Sequence, residues 1–228
     1  MSTLQDFIKW NEEKWEDKNQ EMYTGENEDN IWPWFSKKLD LDVINFIEAN
    51  NIESAKILDL GTCSGAQAIA LANMGFDVVG TDISHTALNK AIKLAKKQST
   101  KIKPNFIIDD ILDTKLAANQ FDLILDRGCF HSICCISTKK YIANLTKILK
   151  PGGKIILKTM SLKENRFSGF DTFAGQKIPM PYRFDEDIIR NVFNDHFIID
   201  NIEDSFFYSS VVSPPAQAML TILSKNKT

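Results

Sequence analysis

Hydrophobic positions along the chain change their period several times, and each change predicts an element. Over residues 3–19, Leu4, Phe7, Ile8, Trp10 and Trp15 recur at spacing that predicts a helix, with Met22 as a further apolar contact. Residues 21–35 carry Gly25, several acids and Ile31-Trp32-Pro33-Trp34, a loop in which Pro33 biases Trp32 towards an extended backbone. Leu39, Leu41, Ile44, Phe46 and Ile47 predict a helix within 38–50. A regular alternation follows. Lys56 to Leu60 is a short apolar run that ends at Gly61, as a buried strand does, and residues 66–73 are strong helix formers stopped near Gly75. Phe76 to Gly80 reads as a strand, and Ser84 as the N-cap of a helix from His85 to about Lys97, with Leu88, Ala91, Ile92 and Ala95 as its apolar stripe. Strands are expected at Asn105–Ile108, Phe121–Leu125 and Lys154–Thr159. A helix is expected over Lys139–Leu149, closed by Lys150-Pro151-Gly152-Gly153.

Repeated strand–helix units predict an α/β fold, doubly wound, with a mostly parallel sheet and helices on both faces. After residue 160 the alternation stops. Residues 161–183 form a long segment containing Gly and Pro, expected to be a lid-like loop. Asp185–Asn194 reads as a helix, and Phe197–Phe207 and Ala218–Ser224 as two final strands joined through Ser213-Pro214-Pro215. The expected organisation is a single domain over 1–228. It comprises an N-terminal helical arm and lid (1–53), a ligand-binding core (54–160), the lid-like loop (161–183), and a C-terminal helix and hairpin (184–228).

Composition narrows the function. The chain has 228 residues and a net charge of −3, which argues against nucleic acid as the main partner. Residues 1–53 hold 13 acidic against 5 basic residues, a solvated acidic front rather than a functional field. No apolar run approaches the roughly 20 residues needed to span a bilayer, so no membrane is expected. The start has neither a basic nor an apolar signal region, which predicts a cytoplasmic protein. Four cysteines, Cys63, Cys129, Cys134 and Cys135, are expected to be free thiols. Cys129, His131, Cys134 and Cys135 lie within seven residues, but zinc sites use separated cysteine pairs, so packing is the preferred reading and no metal is expected. Lys90, Lys93, Lys96 and Lys97 read as a solvated helix face. Trp32 and Trp34 are read either as packing residues or as the rim of a pocket.

The strongest local signal is Ile57-Leu58-Asp59-Leu60-Gly61-Thr62-Cys63-Ser64-Gly65, a strand that runs through a small-residue turn into a helix. In an open α/β sheet that turn lies where ligands bind, and glycines there let the backbone approach closely. The spacing is not the G-x-G-x-x-G of dinucleotide sites, and no P-loop is present. Asp82, at the end of the second strand, suits a ribose diol. Asp110 after the third strand suits an adenine amino group, with Asp109 as the rival.

Asp59-x-Gly61-x-Cys63-x-Gly65, Asp82, Asp110, Phe121-Asp122 and Leu149-Lys150-Pro151-Gly152-Gly153, in that order, resemble the motifs of class I S-adenosylmethionine-dependent methyltransferases. The departure is Cys63, where that family usually has glycine. The resemblance implies a Rossmann-like, seven-stranded sheet whose last strand is antiparallel, with S-adenosylmethionine as cofactor. It implies that Asp59, Gly61, Thr62, Cys63, Gly65, Asp82, Ile83, Asp110 and Ile111 form the cofactor site. Asp126-Arg127-Gly128-Cys129-Phe130-His131, the Trp-rich start and Pro181-Tyr182-Arg183-Phe184 resemble the thiopurine and tellurite methyltransferase-like branch. By that likeness Trp15 closes over the cofactor and Arg127 sits at its methionine end.

The expected reaction is methyl transfer to a small-molecule substrate by a monomer or homodimer. A soft nucleophile such as a thiolate needs no general base. For an oxygen or nitrogen nucleophile, His131 or Asp126 would be the catalytic base. The alternative is a non-catalytic nucleotide-binding domain.

Overall fold

The computed structural model describes residues 36, 38–98, 102–166, 170–173, 176–179, 181–209 and 212–227, with no side chains described for 170–179 or Cys135. The helix expected at 3–19, the loop at 21–35, and Trp15, Trp32 and Trp34 lie outside the described residues.

The helix expected in 38–50 is α1 (Leu41–Ala49), capped by Asp40, whose side chain accepts from the Asp42 backbone N–H. The alternation then runs as read: β1 (Lys56–Leu60), α2 (Ala66–Asn73), β2 (Asp77–Asp82), α3 (His85–Lys97) and β3 (Asn105–Ile108). Ser84 caps α3 by accepting from the Ala87 N–H. A 3-10 turn (Ile111–Asp113) leads to β4 (Phe121–Arg127), α4 (Phe130–Ile148) and β5 (Leu149–Ser161). Beyond these lie β6 (Phe170–Phe173), β7 (Gln176–Pro179), β8 (Arg183–Phe184), α5 (Glu186–Phe193), β9 (Ile198–Phe207) and β10 (Ala216–Ser224).

The sheet order is β3-β2-β1-β4-β5-β10-β9, with short β8 pairing beside the end of β5. The expected seven strands are all present, and β8 makes an eighth. Strand β10 runs antiparallel to both β5 and β9, and the other pairings in this sheet are parallel. The central strands are apolar on both faces because both are covered. Ile57, Leu123, Leu125 and Ile156 pack on the α1–α2 side. Leu58, Ile124, Ile155 and Leu157 pack on the α4–α5 side.

Two expectations change. Helix α4 starts at Phe130, nine residues before the expected Lys139. Its first part, Phe130–Ser137, is rich in Cys and β-branched residues of low propensity, and Ser137 has non-helical φ −163° and ψ 87°, a kink that hid the continuity. The stretch 161–183 also carries regular structure: β6 and β7 pair as an antiparallel hairpin, and β8 follows.

Strand order reverses at β1, where β2 lies on one side and β4 on the other. Such switch points open a crevice at the carboxyl ends of the strands. Register brings the ends of β1, β2, β3 and β4 together there, with Leu60 opposite both Thr81 and Asp126, and Asp82 opposite Ile108.

Candidate active site

The turn after β1 is held from below. Asp59 is 3% exposed, and its Oδ2 accepts from Thr62 Oγ1 at 2.5 Å and from the Ala68 N–H at 3.1 Å. Burial pushes its carboxyl up to about 6, against the pull of these donors. The Thr62 N–H donates to Thr81 O at 2.8 Å, which pins the turn to β2. Gly61, Cys63 and Gly65 all take left-handed backbone, with φ of 67°, 51° and 78°. At Gly65 the steric demand comes from the protein itself: a Cβ there would lie 2.8 Å from both Ala91 Cβ and Phe106 Cζ. At Gly61 a Cβ would meet Cys129 Cβ at 3.1 Å.

Carboxylates gather at the ends of β2 and β3. Asp82 Oδ2 accepts from the Cys63 N–H at 3.0 Å and Oδ1 from the Ser84 N–H at 2.9 Å. Beside it, Ile83 is half-buried and Ile111 buried. Asp110 Oδ1 accepts from the Leu112 N–H at 2.8 Å and so caps the 3-10 turn. Asp109 Oδ1 accepts from the Lys115 N–H, while its Oδ2 is buried without a partner.

The residues read as base candidates are committed to the fold. Asp126 is fully buried at the end of β4. It accepts from the N–H groups of Gly128, Cys129 and Phe130, and from Tyr141 Oη at 2.6 Å. Burial pushes it up to about 6 despite those donors. His131 is half-buried. Its Nδ1 accepts from the Met160 N–H at 3.0 Å, so the neutral ring carries its proton on Nε2. Burial, with the Arg127 charge nearby, pushes its pKa down to about 3, so at neutral pH the ring is a donor through Nε2 with no lone pair left for a proton.

Arg127 belongs to a buried charge cluster. Its Nε donates to Asp40 Oδ2 at 2.8 Å, a second nitrogen donates to Tyr208 O at 2.9 Å, and the guanidinium lies 5.2 Å from the Phe207 ring centre. Lys158, with a fully buried side chain, bonds Asp40 Oδ1 at 2.6 Å and Asp42 Oδ2 at 2.8 Å. Asp42 also accepts from Ser205 Oγ. Burial alone would raise Asp40, but the charges of Lys158 and Arg127 hold its pKa below the usual value. Lys158, Asp40 and Tyr141 were not singled out in the sequence. The readable signal was Lys158, a lysine inside the apolar run of β5. Among the described residues no group of three or more His, Cys, Asp or Glu is arranged to hold a metal ion.

The family model of the methyltransferase domain matches residues 52–200, well over half of the chain. The chain belongs to the class I S-adenosylmethionine-dependent methyltransferases. S-adenosylmethionine is therefore the methyltransferase's cofactor. It is 31% identical over 132 residues to EEF1A lysine methyltransferase 2 of Danio rerio, a match covering 54% of this chain and 56% of that protein. It is 28% identical over 124 residues to probable thiol methyltransferase 2 of Arabidopsis thaliana, covering 54% of each. The chain thus spans about half the length of these two curated relatives. A methyltransferase structure from Methanosarcina mazei superposes with a TM-score of 0.70 at 21% identity, over 84% of this chain and all of that one, which shows the shared fold. No helix among the described residues is long and apolar enough to cross a membrane.

Proposed function

We propose that the methyltransferase binds S-adenosylmethionine across the ends of β1, β2 and β3 and methylates a soft nucleophile, a thiol or thiolate, on a small molecule. The acceptor chemistry of the crevice fits the cofactor. Asp82 offers acceptors to the ribose diol, Asp110 to the adenine amino group, and Ile83 and Ile111 offer apolar flanks. The partnerless Asp109 Oδ2 adds a further buried acceptor at the same edge. Gly61, Thr62, Cys63 and Gly65 supply the backbone that faces the cofactor, with Asp59 beneath. When bound, the cofactor supplies an electrophilic methyl group on a sulfonium. The chain supplies alignment of the acceptor and exclusion of water.

The observation that carries the acceptor class is the commitment of His131 and Asp126. One has its proton on Nε2 and its Nδ1 in use, and the other accepts four hydrogen bonds in full burial. A hydroxyl or a protonated amine must give up a proton to a base before it attacks, whereas a thiolate arrives without one. Likeness to a thiol methyltransferase supports the same reading. Cys63, Cys129 and Cys134 stand outside any disulfide, which fits a reducing compartment such as the cytoplasm.

A second reading, methylation of a lysine on a protein, is favoured by the 31% identity to EEF1A lysine methyltransferase 2. One assay separates them. The purified protein and S-adenosylmethionine are incubated with alkyl and aryl thiols, thiocyanate, small amines, phenols, or purified elongation factor 1A, and S-adenosylhomocysteine is quantified. Turnover of thiols, retained in His131→Asn, is the expected result. Turnover confined to amines, hydroxyls or the protein lysine would overturn the thiol reading.

A further inference from the structure

Asp40 lies outside the motifs that define the cofactor crevice, yet it joins both of its walls. It is 2% exposed. Its backbone N–H donates to Gln67 Oε1 at 2.9 Å, and Gln67 Nε2 in turn donates to Lys38 O at 2.9 Å. Gln67 is the second residue of α2, directly after the turn at 61–65. Its carboxylate reaches the opposite wall. Oδ2 accepts from Arg127, which precedes Gly128 and Cys129, and Cys129 is the residue packed over Gly61. Oδ1 accepts from the fully buried Lys158 on β5 and from the Asp42 N–H. One residue therefore fixes four elements: α1, α2, β4 and β5.

We propose that Asp40, through Arg127 and Lys158, is a positioning residue for cofactor binding, setting the turn after β1 against the segment after β4. Asp40 acts on the cofactor only through these partners and touches neither cofactor nor acceptor. The cluster is balanced, with Asp40 and Asp42 against Arg127 and Lys158. Bland stabilisation is the rival explanation, but buried ion pairs are poor stabilisers compared with apolar packing of equal volume. What the cluster does supply is fixed direction: the planar Arg127 guanidinium bonds Asp40 and Tyr208 O together, and Phe207 packs beneath both cations. The inference rests on the proposed placement of the cofactor at the 61–65 turn.

The test uses the full chain and calorimetric binding of S-adenosylhomocysteine and S-adenosylmethionine. Asp40→Asn leaves two buried cations facing one carboxylate and is expected to lose both stability and affinity. The deciding variant is Asp40→Asn with Lys158→Met, which restores charge balance. Its melting temperature is expected to return close to wild type, while its Kd for both ligands stays raised by roughly tenfold or more, equivalent to about 1.4 kcal/mol of binding free energy. Ile189→Ala, on the buried face of α5 and outside the residues proposed to hold the cofactor, serves as the stability control and should lower the melting temperature with an unchanged Kd. Affinity that recovers together with stability in the double variant would overturn the inference. An Asp82→Asn protein that binds as tightly as wild type would instead overturn the placement of the cofactor.

Discussion

The backbone N–H of Cys63 donates to Asp82 Oδ2 at 3.0 Å, which joins the left-handed turn after β1 to the carboxylate that ends β2. The bond fixes the spacing of the two strand ends and holds the Asp82 carboxylate at the crevice edge. Asp82 thereby has two duties in the proposed complex, bracing the turn and accepting from the ribose.

Asp82→Asn is expected to weaken S-adenosylhomocysteine binding by about 1.5–3 kcal/mol, the worth of hydrogen bonds to a charged acceptor, or roughly 10- to 150-fold in Kd. Titration calorimetry reads it directly, and an affinity within twofold of wild type would remove Asp82 from the cofactor site.

Gly65→Ala is expected to destabilise by about 2–4 kcal/mol, combining the cost of a left-handed non-glycine backbone with overpacking against Ala91 and Phe106. Gly75 also has positive φ, 101°, but a Cβ there meets nothing within 4 Å. Gly75→Ala should therefore cost only the backbone part, about 1–2 kcal/mol. Denaturant unfolding of the two variants separates the terms; equal losses would show that the Phe106 contact is not what selects glycine at 65.

Tyr141→Phe removes the hydroxyl that donates to Asp126 Oδ2 inside the core. The loss is expected to be about 1–3 kcal/mol, and at about 2–4 °C per kcal/mol for a chain of this size the melting temperature should fall by several degrees. An unchanged melting temperature would mean that Asp126 is satisfied by the three backbone donors alone.

His131 supplies a pH dependence with a definite sign. Its folded pKa, about 3, lies below the unfolded value of 6.5, so its contribution is present above pH 6.5 and is lost as pH falls towards 3. Asp59 and Asp126, both raised to about 6 from 3.8, act the other way: their contribution is full below 3.8 and lost as pH rises through 6. Comparing wild type with His131→Asn cancels those carboxyls. Chemical unfolding between pH 7.5 and 4 should show wild type losing more stability on acidification than the variant; parallel curves would mean that His131 titrates normally in the fold.

Local pattern determined much of this protein. The strand run Lys56–Leu60 and its exit into Gly61, the cap at Ser84, the helix stop before Pro151 and the acids at 82 and 110 depend on nearest neighbours in the chain, where propensity, capping and left-handed backbone act. Those features were enough to predict the parallel sheet and to single out the edge proposed here for the cofactor. Tertiary structure alone decided what His131, Asp126 and Arg127 do. Their types suggested chemistry, but their partners are Met160, Tyr141 and Asp40, 29, 15 and 87 residues away in the chain. Protonation state and charge pairing follow from burial and from neighbours brought across such distances, and no window of sequence contains them. Helix α4 makes the same point at the level of backbone: its first turns hold because the Asp126 carboxylate meets their free N–H groups within a covered core.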